Sequence, residues 1–477
     1  MADAAIKLAQ VDEEVRERRL FQRAVLLVWG LSLVLSLGFI LWLSPPTMWD
    51  PEEYRELAES ILKDGTFPSA LRSPGYPAFV AGVQWLFGES PVPVRIVQAI
   101  LLSTIVFVTV RLGLDLFGWK HRWLCLLASA AVVLNPETAY MSSLLLSDVL
   151  MMAIMPLIVL ACVRTIEVDW RYGFLVGLTL VVTAYIRSEQ VLLPVFLLCT
   201  AAIFHVNRKR IFAGGAVAAC ILLIGVSPWL IHCRVNRGYS GMNCALNANL
   251  FQRGWYLSLQ GSAEPELRKL LMEREETPTT YSYAPVRRLV SDTLTDGKKF
   301  GQEHFAYRTL DVRKEAELYR RLASIGKENI PRHWKPYLRD ATRAYCVMWT
   351  GFDLDWLWPA NNRPTFKVLM TKREFAGIAV RLLSRIVWPI AMGLSLTAGV
   401  FFLLKQRHRS AFLCISLLFW IAVCLLPAAF LSNPSIRYRL PYDGILYLIG
   451  FFGLSQILRI IHDRHLRRSG LHHQCVV

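Results

Sequence analysis

Asp50, in Trp49-Asp50-Pro51-Glu52-Glu53-Tyr54, directly follows the first long apolar run of this 477-residue sequence. A carboxylate fixed beside a membrane surface is suited to act as a general base. Asp before Pro-Glu-Glu is also a strong helix-start signal, and the two roles are compatible because a capping carboxylate is fixed in orientation. Arg187, Arg437 and Arg439 stand at the boundaries of other apolar runs. Guanidinium groups in such places suit a phosphate or another anion. The plainer readings are snorkelling to lipid headgroups, or pairing with Glu189 or Asp443. Arg72, Arg234 and Arg237 are weaker members of the same group, since ordinary loop charges look alike. Glu137 and Asp148 offer oxygens that, with Asp50, would suit a divalent cation. Their spacing is no metal signature, no D-x-D pair stands among them, and a helix cap or an arginine partner explains them equally well. Metal therefore stays an open question.

The elements that must hold these residues are membrane spans. Apolar residues make up 54% of the chain, above the ~45–50% of soluble domains, and the excess has to face lipid. Seven runs reach spanning length, at 24–44, 96–116, 144–162, 211–231, 386–404, 412–431 and 444–461. Three shorter ones, 123–134, 172–185 and 191–204, reach across only if flanking aromatic and basic residues extend them or the bilayer thins. No charged leader with a small-residue cleavage site precedes the first run, which is expected to stay as an anchor. The cysteines inside apolar runs read as small hydrophobes, and no CxxC spacing occurs. Cys233 and Cys244 bracket a loop and are either a pair in an oxidising compartment or two free thiols.

The net charge of +17 would suit nucleic acid if it formed a stripe, but the Lys and Arg residues fall in short clusters between apolar runs, so no nucleic-acid partner is expected. Ten spans place the clusters at Arg16–Arg23, Lys120/Arg122, Arg164/Arg171, Arg208–Arg210, Lys405–Arg409 and Arg464–Arg468 on one side. Short cytoplasmic loops carry such charge, which makes both termini cytoplasmic. The resulting division is a cytoplasmic segment 1–23, a transmembrane module 24–232 with a first outer loop 45–94, an outer helical subdomain 233–375, C-terminal spans 376–461 and a basic tail 462–477. In the first outer loop, Asp50 and Pro51 open a helix whose Tyr54, Leu57, Ala58, Ile61 and Leu62 share one face and which Gly65 closes. It is too short and polar to span and is expected to lie along the surface. A second helix, 77–88, is apolar on most sides. Helical periodicity recurs at 316–325 and 334–349, while 277–291 reads as looser and the aromatic stretch 251–256 as an interfacial anchor.

Several motifs agree in order with one family. Arg72-Ser73-Pro74-Gly75-Tyr76-Pro77 is similar to R-P-P-G-Y-P, Leu134-Asn135-Pro136 leads to Ser147-Asp148 as a short acidic second loop does, and Tyr185-Ile186-Arg187-Ser188-Glu189 is similar to a T-R-P-E turn. Ser227-Pro228-Trp229 ends a span as S-P-W does, and Ile436-Arg437-Tyr438-Arg439-Leu440-Pro441-Tyr442 looks like R-Y-R-L-P before a late span. Together with the surface helix begun by Asp50, they make the chain resemble the GT-C superfamily of multi-pass glycosyltransferases, in its protein-mannosyltransferase and aminoarabinose-transferase-like (glycosyltransferase family 39-like) group. Ser73 and Ser188 replace prolines of the family pattern.

The resemblance implies an all-α, GT-C-like bundle of about ten transmembrane helices with outer amphipathic helices. It also implies transfer of a sugar from a polyprenyl phosphate, usually with inversion, to an acceptor lipid, glycan or protein at the outer face of a membrane, here a bacterial plasma membrane. In that reaction Asp50 would be the base, and Arg437, Arg439, Arg187 and Arg72 would hold the departing phosphate, where negative charge builds as the bond breaks. Tyr54, Pro74, Gly75 and Tyr76 would wall a groove for the lipid tail, or else merely join two helices. Two other classes compete. A multi-pass transporter or lipid flippase should show two similar halves and mid-span ionisable residues, and neither is evident. A non-catalytic relative that binds lipid-linked glycans or assembles envelope components has no sequence feature against it.

Overall fold

Helix-start and helix-stop signals decide where the apolar runs turn. Ser90 accepts the Val92 amide at 3.3 Å with Pro91 in the first turn, and Gly118, at φ +82°, closes the same helix. Asn135 accepts the Glu137 amide at 3.0 Å ahead of Pro136. Asp311 caps its helix through the amides of Arg313 and Lys314. A computed structural model describes residues 2–42, 49–204, 207–250, 311–350, 366–406, 410–431 and 436–468. The stretches 251–256 and 277–291 lie outside the described residues.

The chain runs through α1 (Ala2–Trp42), α2 (Trp49–Asp64), α3 (Gly75–Phe87), α4 (Pro91–Phe117), α5 (Arg122–Val133), α6 (Pro136–Ser143), α7 (Asp148–Glu167), α8 (Tyr172–Ile186), α9 (Leu192–Phe204) and α10 (Arg208–Asn236). It continues through α11 (Val312–Arg332), α12 (Trp334–Met348), α13 (Phe366–Thr371), α14 (Phe375–Leu382), α15 (Trp388–Lys405), α16 (Ala411–Leu431) and α17 (Asp443–Arg468). No strand occurs among the described residues. Helices stand where 316–325 and 334–349 led us to expect them.

Among the described residues, seven helical stretches are long and apolar enough to cross a membrane, or eight if α5 and α6, bent by 50° to each other, form one broken span. The expected ten is thus not reached by length. At 1.5 Å per residue, α8 and α9 extend about 20 Å, short of the ~30 Å hydrocarbon core. The residues before Ala24 are also helical, continuous with the first span.

Burial separates centre from rim. The apolar window of α7 is 78% buried, whereas those of α1 and α10 are 22% buried. Helix α7 packs in the middle of the bundle against α4, α8 and α9. On the rim, Leu26, Leu27, Leu223, Ile224 and Leu394 are exposed, which suits lipid as solvent. Two charge groups mark the bundle's ends. Glu17–Arg122 at 2.7 Å and Asp115–Arg164 at 2.9 Å lie at one end. Asp148, at the other end of α7, belongs to the opposite group.

Without a hydrophobic drive between helices in lipid, close backbone approach through small residues holds the bundle. A Cβ on Gly173 would meet the Gly214 carbonyl oxygen at 2.2 Å where α8 meets α10. One on Gly453 would meet the Ser395 carbonyl oxygen at 2.3 Å where α17 meets α15. Gly453→Val is therefore expected to destabilise the bundle by about 1–3 kcal/mol through overpacking. The check is the thermal midpoint in detergent, which should fall for Gly453→Val and stay unchanged for Gly30→Val, where a Cβ meets nothing within 4 Å.

Candidate functional site

Five separate segments supply one charged cluster at the end of the bundle. Helix α2 starts at Trp49, so Asp50 lies within its first turn rather than flanking it as a cap, and Glu53 follows one turn on. The turn between α2 and α3 supplies Arg72, α7 begins at Asp148, Arg187 ends α8, and Arg437 precedes α17.

Arg72 Nη2 lies 2.6 Å from Asp50 Oδ1 and 2.6 Å from Glu53 Oε2, with its guanidinium 5.2 Å from the centre of the Tyr54 ring. Arg437 donates to Asp148 Oδ2 from Nη2 at 2.8 Å and from Nε at 3.2 Å, and its Nη1 stands 3.6 Å from Asp50 Oδ2. Arg187 reaches Asp148 Oδ1 at 3.0 Å, donates from Nε to the Ser147 hydroxyl at 3.2 Å and lies over the Tyr438 ring at 5.5 Å. Three guanidinium groups thus alternate with three carboxylates, and the set is neutral.

The members differ in access to solvent. The side chains of Glu53 and Asp148 are fully buried, while Asp50 is 31% and Arg437 27% exposed. The longest contact, Asp50–Arg437, joins the two most accessible groups. Fully buried between two guanidiniums, Asp148 is out of reach of an acceptor, whereas Asp50 is not. Asp50 keeps the open side, and an incoming anion would meet Arg437 first.

Of the residues singled out from sequence, Asp50, Arg72, Arg187, Arg437 and Asp148 come together. Arg439 does not: it is 1% exposed, donates to Asp443 at 2.7 and 3.2 Å and also bonds the Thr350 carbonyl, which is the pairing alternative. Glu137 is buried in the first turn of α6. Among the described residues no group of three His, Cys, Asp or Glu side chains stands close enough to hold a metal, so Glu137, Asp148 and Asp50 do not assemble as a ligand set.

The presumed groove residues also differ in place. Tyr54 and Tyr76 are 8% and 1% exposed and meet edge to face at 4.7 Å, and the Tyr76 hydroxyl bonds Gln98 at 2.5 Å. Both rings are buried, and the Tyr54 ring lies against the Arg72 guanidinium. Pro74 precedes α3, and a Cβ on Gly75 would meet the Tyr185 carbonyl carbon and oxygen at 2.7 Å. The backbone that Gly75 lets approach is the protein's own, two residues before Arg187. Sequence reasoning missed Glu53 as the second acceptor for Arg72, although its place one helical turn after Asp50 was the available signal. Arg237, a weaker candidate from sequence, is buried and donates to the carbonyls of Ser69 at 3.0 Å and Phe67 at 2.6 Å. Cys233 and Cys244 are both buried free thiols.

Comparison with known proteins follows the same lines. Residues 71–232 match the family described as dolichyl-phosphate-mannose-protein mannosyltransferase. No curated protein matches the chain by sequence. Among solved structures, the Archaeoglobus fulgidus oligosaccharyltransferase in complex with Zn and sulfate is similar over 94% of this chain, with 10% identity and a TM-score of 0.50. The chain spans about half of that protein's length, 51%. The same archaeal enzyme with an inhibitory peptide and a dolichol-phosphate is similar over 95% of this chain and 52% of its own, at 13% identity and a TM-score of 0.49. ArnT from Cupriavidus metallidurans bound to undecaprenyl phosphate is similar over 92% of this chain and 77% of its own, at 14% identity and a TM-score of 0.37. The chain is thus a membrane protein that shares the fold of the Archaeoglobus fulgidus oligosaccharyltransferase, with no strand among its described residues, and its residues 71–232 match the family described as dolichyl-phosphate-mannose-protein mannosyltransferase.

Proposed function

We propose that this protein is a membrane glycosyltransferase that moves a sugar from a polyprenyl-phosphate donor to an acceptor, with inversion, on the face of the membrane opposite its basic loops. Both termini would then be cytoplasmic and the site would face the periplasm or lumen. The observation that carries this reading is the solvent-accessible edge of the charge cluster, where Asp50 stands beside Arg437 at 3.6 Å.

The chemistry follows from the charges. The donor phosphate docks at Arg437 and draws on Arg187 and Arg72, displacing the long contact between Arg437 and Asp50. Asp50, still bonded to Arg72 and partly open to solvent, is then released from Arg437. It takes the proton as the acceptor's hydroxyl or amine attacks the anomeric carbon. The bond from that carbon to the phosphate oxygen breaks, its electron pair leaves with the phosphate, and the fixed guanidiniums meet the growing charge without reorganising. No step is routed through a metal, because both oxygens of Asp148 already face guanidiniums. The supporting carboxylates Glu53 and Asp148 hold the arginines apart and in place before the anion arrives.

Asp50→Asn is expected to reduce transfer from a polyprenyl-phosphate sugar about 10²–10⁴-fold while retaining donor binding. Glycolipid and glycan mass spectrometry of cells with and without the protein identifies the donor and acceptor for that assay, and full activity in the variant would reject Asp50 as the base. Asp148→Asn leaves two guanidiniums facing each other across a buried site, so a loss of about 3–5 kcal/mol is expected, tempered by the partial exposure of Arg437. A lowered melting temperature together with lost donor binding would show it, and wild-type stability would contradict the cluster's role.

A further inference from the structure

Glu315, in the first turn of α11, is 2% exposed and lies 245 residues beyond the amide it serves. Its Oε2 accepts the Ala70 N–H at 2.7 Å. Around the same turn, the Cys244 N–H donates to the Ala70 carbonyl at 2.7 Å and Asn243 Nδ2 donates to the Ser73 hydroxyl at 2.7 Å. Arg237 holds the carbonyls of Phe67 and Ser69 while lying 4.7 Å over Trp229 and 5.4 Å over Phe67. Inside the turn, Ser69 Oγ accepts the amides of Leu71 and Arg72 at 3.2 Å each. The backbone from Phe67 to Ser73 has no regular structure of its own, and its buried polar groups are satisfied largely from the chain that follows α10. Arg72 stands two residues past Ala70.

We propose that Glu315 is a positioning residue for the charged cluster, latching α11 onto the turn that carries Arg72 and so fixing the Arg72 guanidinium on Asp50 and Glu53. The effect on turnover rests on the glycosyl-transfer reading; the latch rests on geometry alone. It makes the chain after α10 a structural part of the site.

The latch responds to pH with a definite sign. The groups facing Glu315 are the Ala70 amide, Glu53 from α2, Arg237 from the end of α10, and Cys244. Burial pushes the Glu315 carboxyl up to about 8, helped by Glu53 and opposed by the Ala70 amide and Arg237. A proton is therefore held in the docked state and released on undocking across the window from the ordinary carboxylate range to about pH 8. Docking weakens as pH rises through that window, by on the order of 100-fold between pH 6 and pH 9.

Hydrogen exchange of amides 66–73 in the detergent-solubilised full chain, corrected for intrinsic rates, reads this opening directly. Wild type is expected to lose protection on the order of 100-fold from pH 6 to pH 9. Glu315→Gln, whose side-chain oxygen still accepts from Ala70, should keep its protection at both values, and Glu315→Ala should show little at either. Parallel loss in wild type and Glu315→Gln, or full protection in Glu315→Ala, would overturn the latch. In a transfer assay the KM for the polyprenyl-phosphate donor should rise in wild type as the pH climbs to about 8, level off above it, and stay flat in Glu315→Gln. If the exchange pattern holds while no variant transfers sugar from any polyprenyl phosphate, the latch stands and glycosyl transfer is rejected.

Discussion

Charge neutrality at a buried site governs this structure. Arg72, Arg187 and Arg437 sit at the end of an apolar bundle, where an unpaired guanidinium costs several kcal/mol. Asp50, Glu53 and Asp148 supply the compensation, and each of the three arginines touches at least one of them. Because these residues come from α2, the following turn, α7, the end of α8 and the stretch before α17, the cluster exists only when all of them are docked. Much else in the packing serves that requirement. Helix α7 is central because Asp148 must face arginines from two directions, and Gly75 is without a side chain because the Arg72 turn must lie against the backbone leading to Arg187.

The same neutrality gives the site its proposed reactivity. A set of fixed charges that balances before substrate arrives needs little rearrangement when an anion develops on its edge, and that is the condition under which preorganised donors act most strongly. Fully buried Asp148 and Glu53 would be misused as bases, since removing either from its arginine leaves a cation exposed to an apolar interior. Asp50, partly open and held by the longest contact, changes partners at the least cost.

Membrane architecture and much of this site were legible in the sequence because each rests on a strong local signal. Long apolar runs and clustered basic loops report solvent directly. Asp50, Arg72, Arg187, Arg437 and Asp148 stood out as charges at span boundaries, and the structure gathers them. Arg439 stood out for the same reason and does not join them, because Asp443 lies one helical turn away and captures it locally. Glu315 was illegible for the opposite reason. Nothing in a mixed, charged segment marks the one glutamate that pairs with an amide 245 positions earlier, since that pairing depends on tertiary folding alone. Span number was less legible, because α8 and α9 are apolar but short, and length alone assigns seven or eight spans among the described residues.

The central claim is that the Asp50–Arg437 edge receives the donor phosphate. A structure of the full chain with a bound polyprenyl phosphate tests it most directly. The expected result is a phosphate within hydrogen-bond distance of Arg437, with the Asp50–Arg437 contact opened beyond its present 3.6 Å and Asp148 still between Arg187 and Arg437. A phosphate bound elsewhere on the bundle, with Asp50 and Arg437 unmoved, would contradict the account.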